Sequence, residues 1–339
     1  MKWLRNCWYA AAWADEIEPG NRLARTITEI RILLWRDDKN IVRALENRCP
    51  HRFAPLDKGR IDQDIVRCGY HGLAFNGETG KCIDNPHGPI TNALAVRTFP
   101  IAERHGIVWV WTGEADHAHD AVIPDLAFID STPPNAFSKG YMLAAADHRL
   151  LEDNIFDLSH GDYLHPDTLG GGAFTRTKPA VEERGETIFV QWLARNEHAI
   201  PVWRPELPDP DMLTDMRTEV LWHPSGVMLL RGGMTLADQS SDWELDTQNA
   251  HIMTPETATS THYFYCNTRN YRIADAEYNA LLTAGLRGAF EGEDKPMIEA
   301  QQLNIGAADL MDCGPALLSI DGASTRARRM YQRLAEAER

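Results

Sequence analysis

Two short cysteine–histidine pairs restrict this chain more than any other feature of its sequence. The first pair is Cys-Pro-His at 49–51, the second is Cys-Gly-Tyr-His at 68–71, and sixteen residues separate them. Cysteine thiolates and histidine imidazoles at such short spacing are typical metal ligands. The pattern predicts a fold in which two separate loops close on one metal centre.

Two kinds of metal centre use this set of ligands. Structural zinc sites usually draw two cysteines from one segment and two histidines from another. Here each loop supplies one of each. This suits a [2Fe–2S] cluster of the Rieske type, in which one iron is held by two cysteines and the other by two histidines. We therefore predict that four residues bind such a cluster, namely Cys49, His51, Cys68 and His71. A structural zinc site is the alternative.

The length and net charge of the chain limit the kinds of protein it can be and the partners it can bind. A length of 339 residues predicts two domains, and a net charge of −15 argues against nucleic acid or an anionic membrane as the main partner. No apolar run approaches the roughly 20 residues that span a bilayer, so we expect no membrane partner. Lys2 and Arg5 before the apolar run 7–14 only faintly resemble a signal peptide, and an opening strand or turn is preferred. Six scattered cysteines indicate no disulfide framework, which favours a cytoplasmic location with reduced thiols.

The pattern of apolar residues changes near residue 118. Short strand-like runs fill the first third, at 30–36, 40–48, 64–75 and 106–113, and a polar linker is expected at 113–125. Beyond it we predict helices at 147–165, 275–304 and 323–338. Further strands are expected between them, at 186–194, 216–223, 226–231, 249–254 and 260–266. These runs predict an α+β protein with a small all-β domain at 1–118 and a larger domain at 119–339.

A second group of potential metal ligands lies in the predicted helix 147–165. Asp157 and His160 are three residues apart and would share a helix face, while His165 lies off that face in a straight helix. Pro166 disfavours helical geometry at His165, so the helix is expected to end or distort there. Two imidazoles and one carboxylate are the ligands of non-haem iron oxygenases, although paired histidines near a helix end are more often structural.

Together the two motifs resemble the Rieske non-haem iron oxygenases. The string Asn154-x₂-Asp157-x₂-His160-x₄-His165 looks like the mononuclear-iron signature of that family, and it follows the cluster motif at the usual distance. Tyr70 stands where respiratory Rieske proteins carry a disulfide cysteine, which points to the oxygenase branch. The resemblance covers nearly the whole chain and is strongest to the vanillate O-demethylase and dicamba monooxygenase subgroup.

The resemblance implies a fold and a set of roles. The second domain would be a helix-grip catalytic domain with a curved antiparallel sheet over the iron. The carboxylate ligand would be Asp294 rather than Asp157, with Glu291 and Glu293 as competitors. Asp157 would instead bridge two centres in a head-to-tail homotrimer, where His71 of one subunit contacts Asp157 of the next. Asn154 would lie near the iron or hydrogen-bond its own helix.

The implied activity is that of a terminal oxygenase component. Electrons from NAD(P)H would arrive through a separate ferredoxin and/or flavin reductase, because the chain has no nucleotide-binding fingerprint of its own. With O₂, the mononuclear Fe(II) would hydroxylate or O-demethylate a small, methoxybenzoate-like aromatic compound. Ring hydroxylation, aryl-methyl oxidation and N-dealkylation are alternatives, and an electron carrier or a zinc-binding protein is a remote one. His251 is the candidate substrate-binding residue, with a satisfied histidine of the sheet as the other interpretation.

Overall fold

The computed structural model describes residues 3–119, 121–237 and 244–338. The chain divides into two compact units, Trp3–Ile123 and Pro124–Ala337. The division falls inside the linker that the sequence predicts at 113–125. In the described residues, no helix is both long and apolar enough to cross a membrane.

The first unit consists of three small antiparallel sheets in its described residues. Their orders are β1-β10-β9, β2-β3-β4 and β5-β6-β7-β8. The ten strands are β1 Trp8–Trp13, β2 Arg22–Ile27, β3 Ile30–Arg36, β4 Val42–Glu46, β5 Arg60–Asp62, β6 Ile65–Arg67, β7 Ala74–Asn76, β8 Cys82–Asp84, β9 Ile101–Arg104 and β10 Ile107–Trp111. Strands β1 and β10 are buried along their whole length, because both consist almost entirely of apolar residues.

Both cysteines of the predicted cluster lie in the second apolar core of this unit. Cys49 follows β4 and Cys68 follows β6, and both belong to the same buried apolar cluster as Trp35, Leu45 and Phe75. The segment 64–75, which the sequence presents as one strand-like run, is therefore two strands with a loop between them. The prediction of a continuous strand is wrong there, because the chain turns around Cys68 and returns through Gly72 at a φ of 77°.

The second unit is built on one large antiparallel sheet. Its order in the described residues is β11-β17-β16-β15-β14-β13-β12. The strands are β11 Phe137–Ala144, β12 Ala180–Arg184, β13 Thr187–His198, β14 Leu213–His223, β15 Val227–Leu236, β16 Leu245–Thr257 and β17 Ser260–Arg269. Along β14 buried and partly exposed residues alternate, as expected for a strand with one face on the core. The curved-sheet α+β prediction is confirmed, although β11 and β12 were not predicted from the sequence.

Seven α-helices and one π-helical segment accompany the strands in the described residues. The α-helices are α1 Ala127–Ser131, α2 His148–Phe156, α3 Gly161–Leu164, α4 Ala173–Arg176, α5 Ala276–Arg287, α6 Lys295–Ile305 and α7 Gly322–Ala337. The π-helical segment, Gly288–Asp294, joins α5 to α6. Helix α2 contacts β16 and α7, and α5 contacts β11, so both lie against the sheet.

The single helix predicted for 147–165 is wrong. Helix α2 ends at Phe156, and a 3₁₀ turn at Leu158–His160 and then α3 follow. The cause is Asp157, whose Oδ1 accepts hydrogen bonds from the Ser159 N–H at 2.9 Å and the Ser159 hydroxyl at 2.6 Å. Such local capping starts a new turn at the expense of the preceding helix. The predicted helix 275–304 is likewise divided, by the π-helical segment.

Candidate active site

The two cysteine loops of the first unit close in the same way. The Cys49 N–H donates to the Ala54 carbonyl at 2.9 Å, and the Cys68 N–H donates to the Leu73 carbonyl at 2.8 Å. In both loops the residue four positions after the cysteine donates back to the cysteine carbonyl, at 2.9 Å and 3.1 Å. The two loops are thus equivalent turns that bring their side chains to one place.

Each loop contains one residue with a positive φ at the same position. This residue is Phe53 in the first loop, with a φ of 56°, and Gly72 in the second, with a φ of 77°. Glycine adopts this geometry without strain, whereas phenylalanine does so at a cost. Gly59 allows close approach of the loops, because a Cβ there would lie 2.0 Å from the carbonyl oxygen of Arg67.

The four predicted cluster residues fit a Rieske centre. Cys49 and Cys68 are 1% and 2% exposed, His51 is exposed, and the His51 and His71 rings lie with centroids 4.5 Å apart. Burial raises the pKa of the Cys49 thiol to about 11, so its thiolate needs a nearby cation to form. Two buried thiols and two imidazoles open to solvent are the donors that such a cluster requires.

A third segment, 85–88, packs against the histidine end of the cluster site. His87 Nε2 lies 2.9 Å from the carbonyl oxygen of His71, and the Tyr70 ring lies 3.9 Å from the His71 ring. These contacts fix the loop around His71 while its ring stays partly exposed.

The second unit brings His160, His165 and Asp294 together. Their possible ligand atoms all lie within 4.8 Å of one another. Asp294 Oδ1 is 3.1 Å from His165 Nε2 and 3.5 Å from His160 Nε2. His165 and Asp294 are each 3% exposed. Two imidazoles and a carboxylate around one point match the ligand set of non-haem iron oxygenases.

Both imidazoles have their other ring nitrogen engaged. His160 Nδ1 is 2.5 Å from the carbonyl oxygen of Asp157, and His165 Nδ1 is 2.5 Å from Glu293 Oε2. With protons on both Nδ1 atoms, both Nε2 lone pairs face Asp294 and are available to a metal. Burial alone would lower the pKa of His165, but hydrogen bonds and charge from Asp294 and Glu293 raise it.

The π-helical segment explains how two adjacent carboxylates reach one histidine. Glu293 lies at Nδ1 of His165 and Asp294 lies at Nε2. The wider turn inserts an extra residue into the helix, as happens frequently at functional sites. Helix α2 provides the fourth group, because Asn154 Nδ2 lies 3.1 Å from Asp294 Oδ1 and 3.3 Å from His160 Nε2.

The other candidate carboxylates lie away from the ligand point. Glu291 Oε1 contacts Arg287 and the Tyr265 hydroxyl. The Asp157 carboxylate binds Ser159, while only its main chain contacts His160. The ligand role of Asp294 and the bridging role of Asp157 therefore remain predictions with compatible geometry.

A cavity of about 220 Å³ lies against these residues. Its wall is largely apolar and is formed by the sheet, by helices α4 and α5, and by the turns and the π-helical segment around them, with Leu158, Phe174, Trp203, Leu286 and Phe290 among its residues. Asn154, His160, His165 and Asp294 also line it. A cavity of about 150 Å³ accepts benzene, so this one has room for a single substituted ring.

His251 also lines this cavity. Its Nδ1 lies 2.7 Å from the Tyr263 hydroxyl, and its ring meets Phe290 edge-on with centroids 5.5 Å apart. Burial lowers the pKa of His251 to about 4, so the ring is neutral at physiological pH. His251 is therefore a hydrogen-bonded histidine of the sheet that also lines the cavity, and its substrate-binding role stays a prediction. Asn249 and Asn267, which sequence reasoning missed, lie beside it on β16 and β17.

Both units match known families. Residues 7–100 match the Rieske [2Fe-2S] domain, and residues 144–337 match the vanillate O-demethylase oxygenase C-terminal domain. The chloroacetanilide N-alkylformylase oxygenase component of Rhizorhabdus wittichii is 34% identical over 99% of this chain and 96% of its own length. The dicamba O-demethylase oxygenase component of Stenotrophomonas maltophilia is 32% identical over 100% and 99%.

A solved structure of a relative has the same fold as this chain over its whole length. The crystal structure of dicamba monooxygenase bound to 3,6-dichlorosalicylic acid has a TM-score of 0.90 and 31% identity, and the match covers 100% of this chain and 99% of that one. The donor sets of both units suit the metal groups of these proteins, a Rieske [2Fe–2S] cluster and a mononuclear iron. The chain therefore belongs to the family of Rieske-type oxygenase components with a vanillate O-demethylase C-terminal domain.

Proposed function

We propose that this protein is the terminal oxygenase of a multicomponent monooxygenase that removes the methyl group of a small methoxylated aromatic compound. The observation that carries the proposal is the cluster of His160, His165 and Asp294 at the wall of a largely apolar cavity of ring size. Relatives named dicamba O-demethylase and vanillate O-demethylase support the choice of reaction.

The metal groups divide the chemistry between them. When bound, the [2Fe–2S] cluster supplies electrons one at a time and the mononuclear iron activates O₂. The residues of the chain position the substrate and exclude water. The apolar wall, with Trp203 and Phe290, holds the ring with its methoxy carbon toward the two histidines. Hydroxylation of that carbon gives a hemiacetal, which collapses to a phenol and formaldehyde.

The electrons come from outside the chain in this proposal. The sequence contains no flavin or nicotinamide fingerprint, so a separate ferredoxin and/or flavin reductase would pass electrons from NAD(P)H to the cluster. Cytoplasmic residence stays a prediction.

We also propose a head-to-tail homotrimer in which His71 of one subunit contacts Asp157 of the next. The Asp157 carboxylate supports this role, because only its Oδ1 is engaged by Ser159 among the described residues. A contact between unlike surfaces that closes as a ring gives cyclic symmetry. Analytical ultracentrifugation of the holoenzyme tests the assembly.

Formaldehyde release tests the proposed reaction. Purified holoenzyme with a surrogate ferredoxin, its reductase and NADH should release formaldehyde from methoxylated aromatic compounds only when O₂ is present. The His165→Ala variant should retain the cluster and release none. A colourless protein that contains zinc and no sulfide would contradict the proposal, and so would a failure of all methoxylated compounds to yield formaldehyde.

A further inference from the structure

Two residues of the cavity wall are exposed at the surface of the protein. Among the described residues that line the cavity, Thr168 and Gly285 are exposed, and all the others are buried or half-buried. Gly285 belongs to helix α5 and has no side chain to close the wall. The cavity therefore reaches the surface at a position where this helix contributes only its backbone.

The helical period places Gly285 on the face of α5 that is turned toward the cavity. The lining residues of α5 and of the segment that follows it have the spacing i, i+3, i+4 and i+7, which corresponds to one face of a helix. They are Leu282, Gly285, Leu286 and Ala289. Leu281 and Ala284, on the other side of the helix, are exposed and do not line the cavity. A side chain at position 285 would thus extend from the cavity face.

The space beside Gly285 is empty. A Cβ at this position would have no heavy atom within 4 Å, apart from its chain neighbours and the backbone of its own helix. Gly232, the other glycine of the cavity wall, is different, because its Cβ would lie 3.1 Å from the Trp203 ring and 3.3 Å from Thr247 Oγ1. Close packing accounts for the glycine at 232. It does not account for the one at 285, which weakens the helix relative to alanine.

Hydrogen bonds to the neighbouring strand hold α5 in place. Asn279 Nδ2 donates to the carbonyl oxygen of Phe137 at 3.0 Å, and Thr283 Oγ1 lies 2.8 Å from Ser138 Oγ. Both partners belong to β11. The gap at Gly285 is therefore a fixed part of the wall that does not require a movement of the helix.

The gap is suited to an apolar group. Leu282 and Leu286 lie on either side of Gly285 on the same face of α5. The cavity of about 220 Å³ holds one ring with small substituents, since about 150 Å³ is enough for benzene. A longer chain on the ring would have to leave through the wall, and the two leucines would cover part of its surface.

We propose that Gly285 determines substrate specificity, by admitting an aromatic ring that carries an apolar chain of about four carbon atoms, roughly half the diameter of a helix in length. The ring would lie in the cavity and the chain in the gap of α5. The inference rests on the proposed function, because it concerns the substrate of the same site.

Ligands that differ only in such a chain test the inference. They are 3-methoxybenzoate and its 4-butyl and 5-butyl derivatives, of which the two isomers direct the chain to different sides of the ring. Calorimetry with the anaerobic holoenzyme should show that at least one butyl compound binds as tightly as the parent compound or more tightly. Weaker or absent binding of both butyl compounds overturns the inference.

Substitutions in α5 separate the gap from the rest of the helix. Gly285→Leu would fill the gap, and it should weaken binding of the butyl compound at least about tenfold while changing that of the parent less than about threefold. Two controls should keep the affinity for the butyl compound. Gly285→Ala adds only a Cβ in open space, and Ala284→Leu adds the larger side chain on the exposed face.

Equal affinity of folded Gly285→Leu and Ala284→Leu for the butyl compound contradicts the inference. If Gly285→Leu does not fold, the comparison of ligands in the unmodified protein decides alone.

The same ligands separate this inference from the proposed function. Tight binding of a butyl compound without formaldehyde from any of the three compounds would contradict O-demethylation and support the role of Gly285. Formaldehyde from the parent compound, together with exclusion of both butyl compounds, would support O-demethylation and contradict the role of Gly285.

Discussion

The two metal sites of this protein are built in opposite ways. The cluster site takes its four side chains from residues 49–71, in two loops closed by equivalent main-chain hydrogen bonds. The iron site joins a short turn after α2 to a π-helical segment, and 129 positions separate His165 from Asp294. The first site is a local structure, whereas the second exists only where helices and sheet pack correctly.

This difference has consequences for stability and for design. Main-chain hydrogen bonds hold the cluster loops, so most changes of their other side chains leave the geometry intact. The iron site depends on the positions of side chains, since those of Asn154 and Glu293 each contact a proposed ligand. We therefore expect a substitution at one site to leave the metal group of the other in place. We also expect the iron site to lose its metal after more kinds of substitution than the cluster site does.

The largest expected effect is the separate loss of each metal group. A [2Fe–2S] cluster and one mononuclear iron give about three irons per chain. Cys49→Ser should abolish the cluster absorption and leave about one iron, whereas His165→Ala should keep the cluster and leave about two. Iron analysis and electron paramagnetic resonance measure both. Loss of the cluster signal in folded His165→Ala would show that the sites are not independent.

Asp157→Ala should lower turnover by at least about 100-fold and leave both metal groups in place. The reason is that its carboxylate is proposed to connect the cluster of one subunit with the iron of the next. Ser159→Ala is the matched control, because it removes a local hydrogen bond of Asp157 but keeps the charge. Equal losses of turnover in both variants would assign Asp157 a local capping role only.

Mixed assemblies test the connection between subunits. Cys49→Ser and His165→Ala chains, co-expressed with different tags and purified through both, should regain part of the activity that each lacks alone. No recovery in a mixed trimer verified by mass spectrometry would place electron transfer within one chain.

Glu293→Gln should weaken iron binding by roughly 10-fold to 100-fold without affecting the cluster. The carboxylate holds the proton on His165 Nδ1, and such partners of a ligand typically contribute this much to metal affinity. Competition with a chelator measures the affinity. Glu291→Gln is the control, since Glu291 contacts Arg287 and Tyr265 instead of the histidine. An unchanged affinity in Glu293→Gln would remove Glu293 from the site.

The smallest effect is expected at the start of α2, the helix that carries Asn154. Asp147 Oδ1 caps this helix by accepting from the Arg149 N–H at 2.9 Å. Asp147→Ala should lower the free energy of unfolding by about 1–2 kcal/mol and spare the cluster spectrum, and Asp147→Asn, which keeps a capping side chain, should cost less. Denaturant titration followed by tryptophan fluorescence measures both. A larger loss in the asparagine variant would contradict the capping role.

The contribution of Asp147 should also depend on pH. Burial would raise the pKa of its carboxyl, but the hydrogen bond from Arg149 and the charges of His148 and Arg149 hold it well below its usual range. Because the pKa is depressed in the folded state, the stabilisation is complete above the ordinary value of about 4 and disappears as the pH falls further. The difference in stability between the unmodified protein and Asp147→Asn should therefore shrink below about pH 4, and a constant difference would contradict this assignment.

The sequence predicts features formed by neighbouring residues better than features formed by residues that are distant along the chain. The cysteine–histidine spacing and the strands at 30–36 and 106–113 are readable because each depends on neighbouring residues. The family resemblance supplied Asp294, which spacing could not, since no local pattern distinguishes it from Glu291 or Glu293.

The errors have physical causes as well. The helix predicted through 147–165 ignored the ability of Asp157 to cap a new turn at Ser159, a competition that apolar periodicity does not reveal. The pair of Asn249 and Asn267 was missed because two residues 18 positions apart become neighbours only through the register of β16 and β17. Register is a tertiary property, so this pair of amides at the cavity could not be predicted from the sequence.

A single-turnover experiment tests the central claim, that electrons from the cluster are used at the site of His160, His165 and Asp294. Chemically reduced holoenzyme, freed of reductant, is mixed with O₂ and a methoxylated substrate, and the cluster signal and formaldehyde are followed together. The account predicts that formaldehyde appears as the reduced cluster is oxidised, and that Asp294→Ala abolishes the product while the cluster remains reducible. Formaldehyde formed without oxidation of the cluster, or at the same rate in Asp294→Ala, would contradict the account.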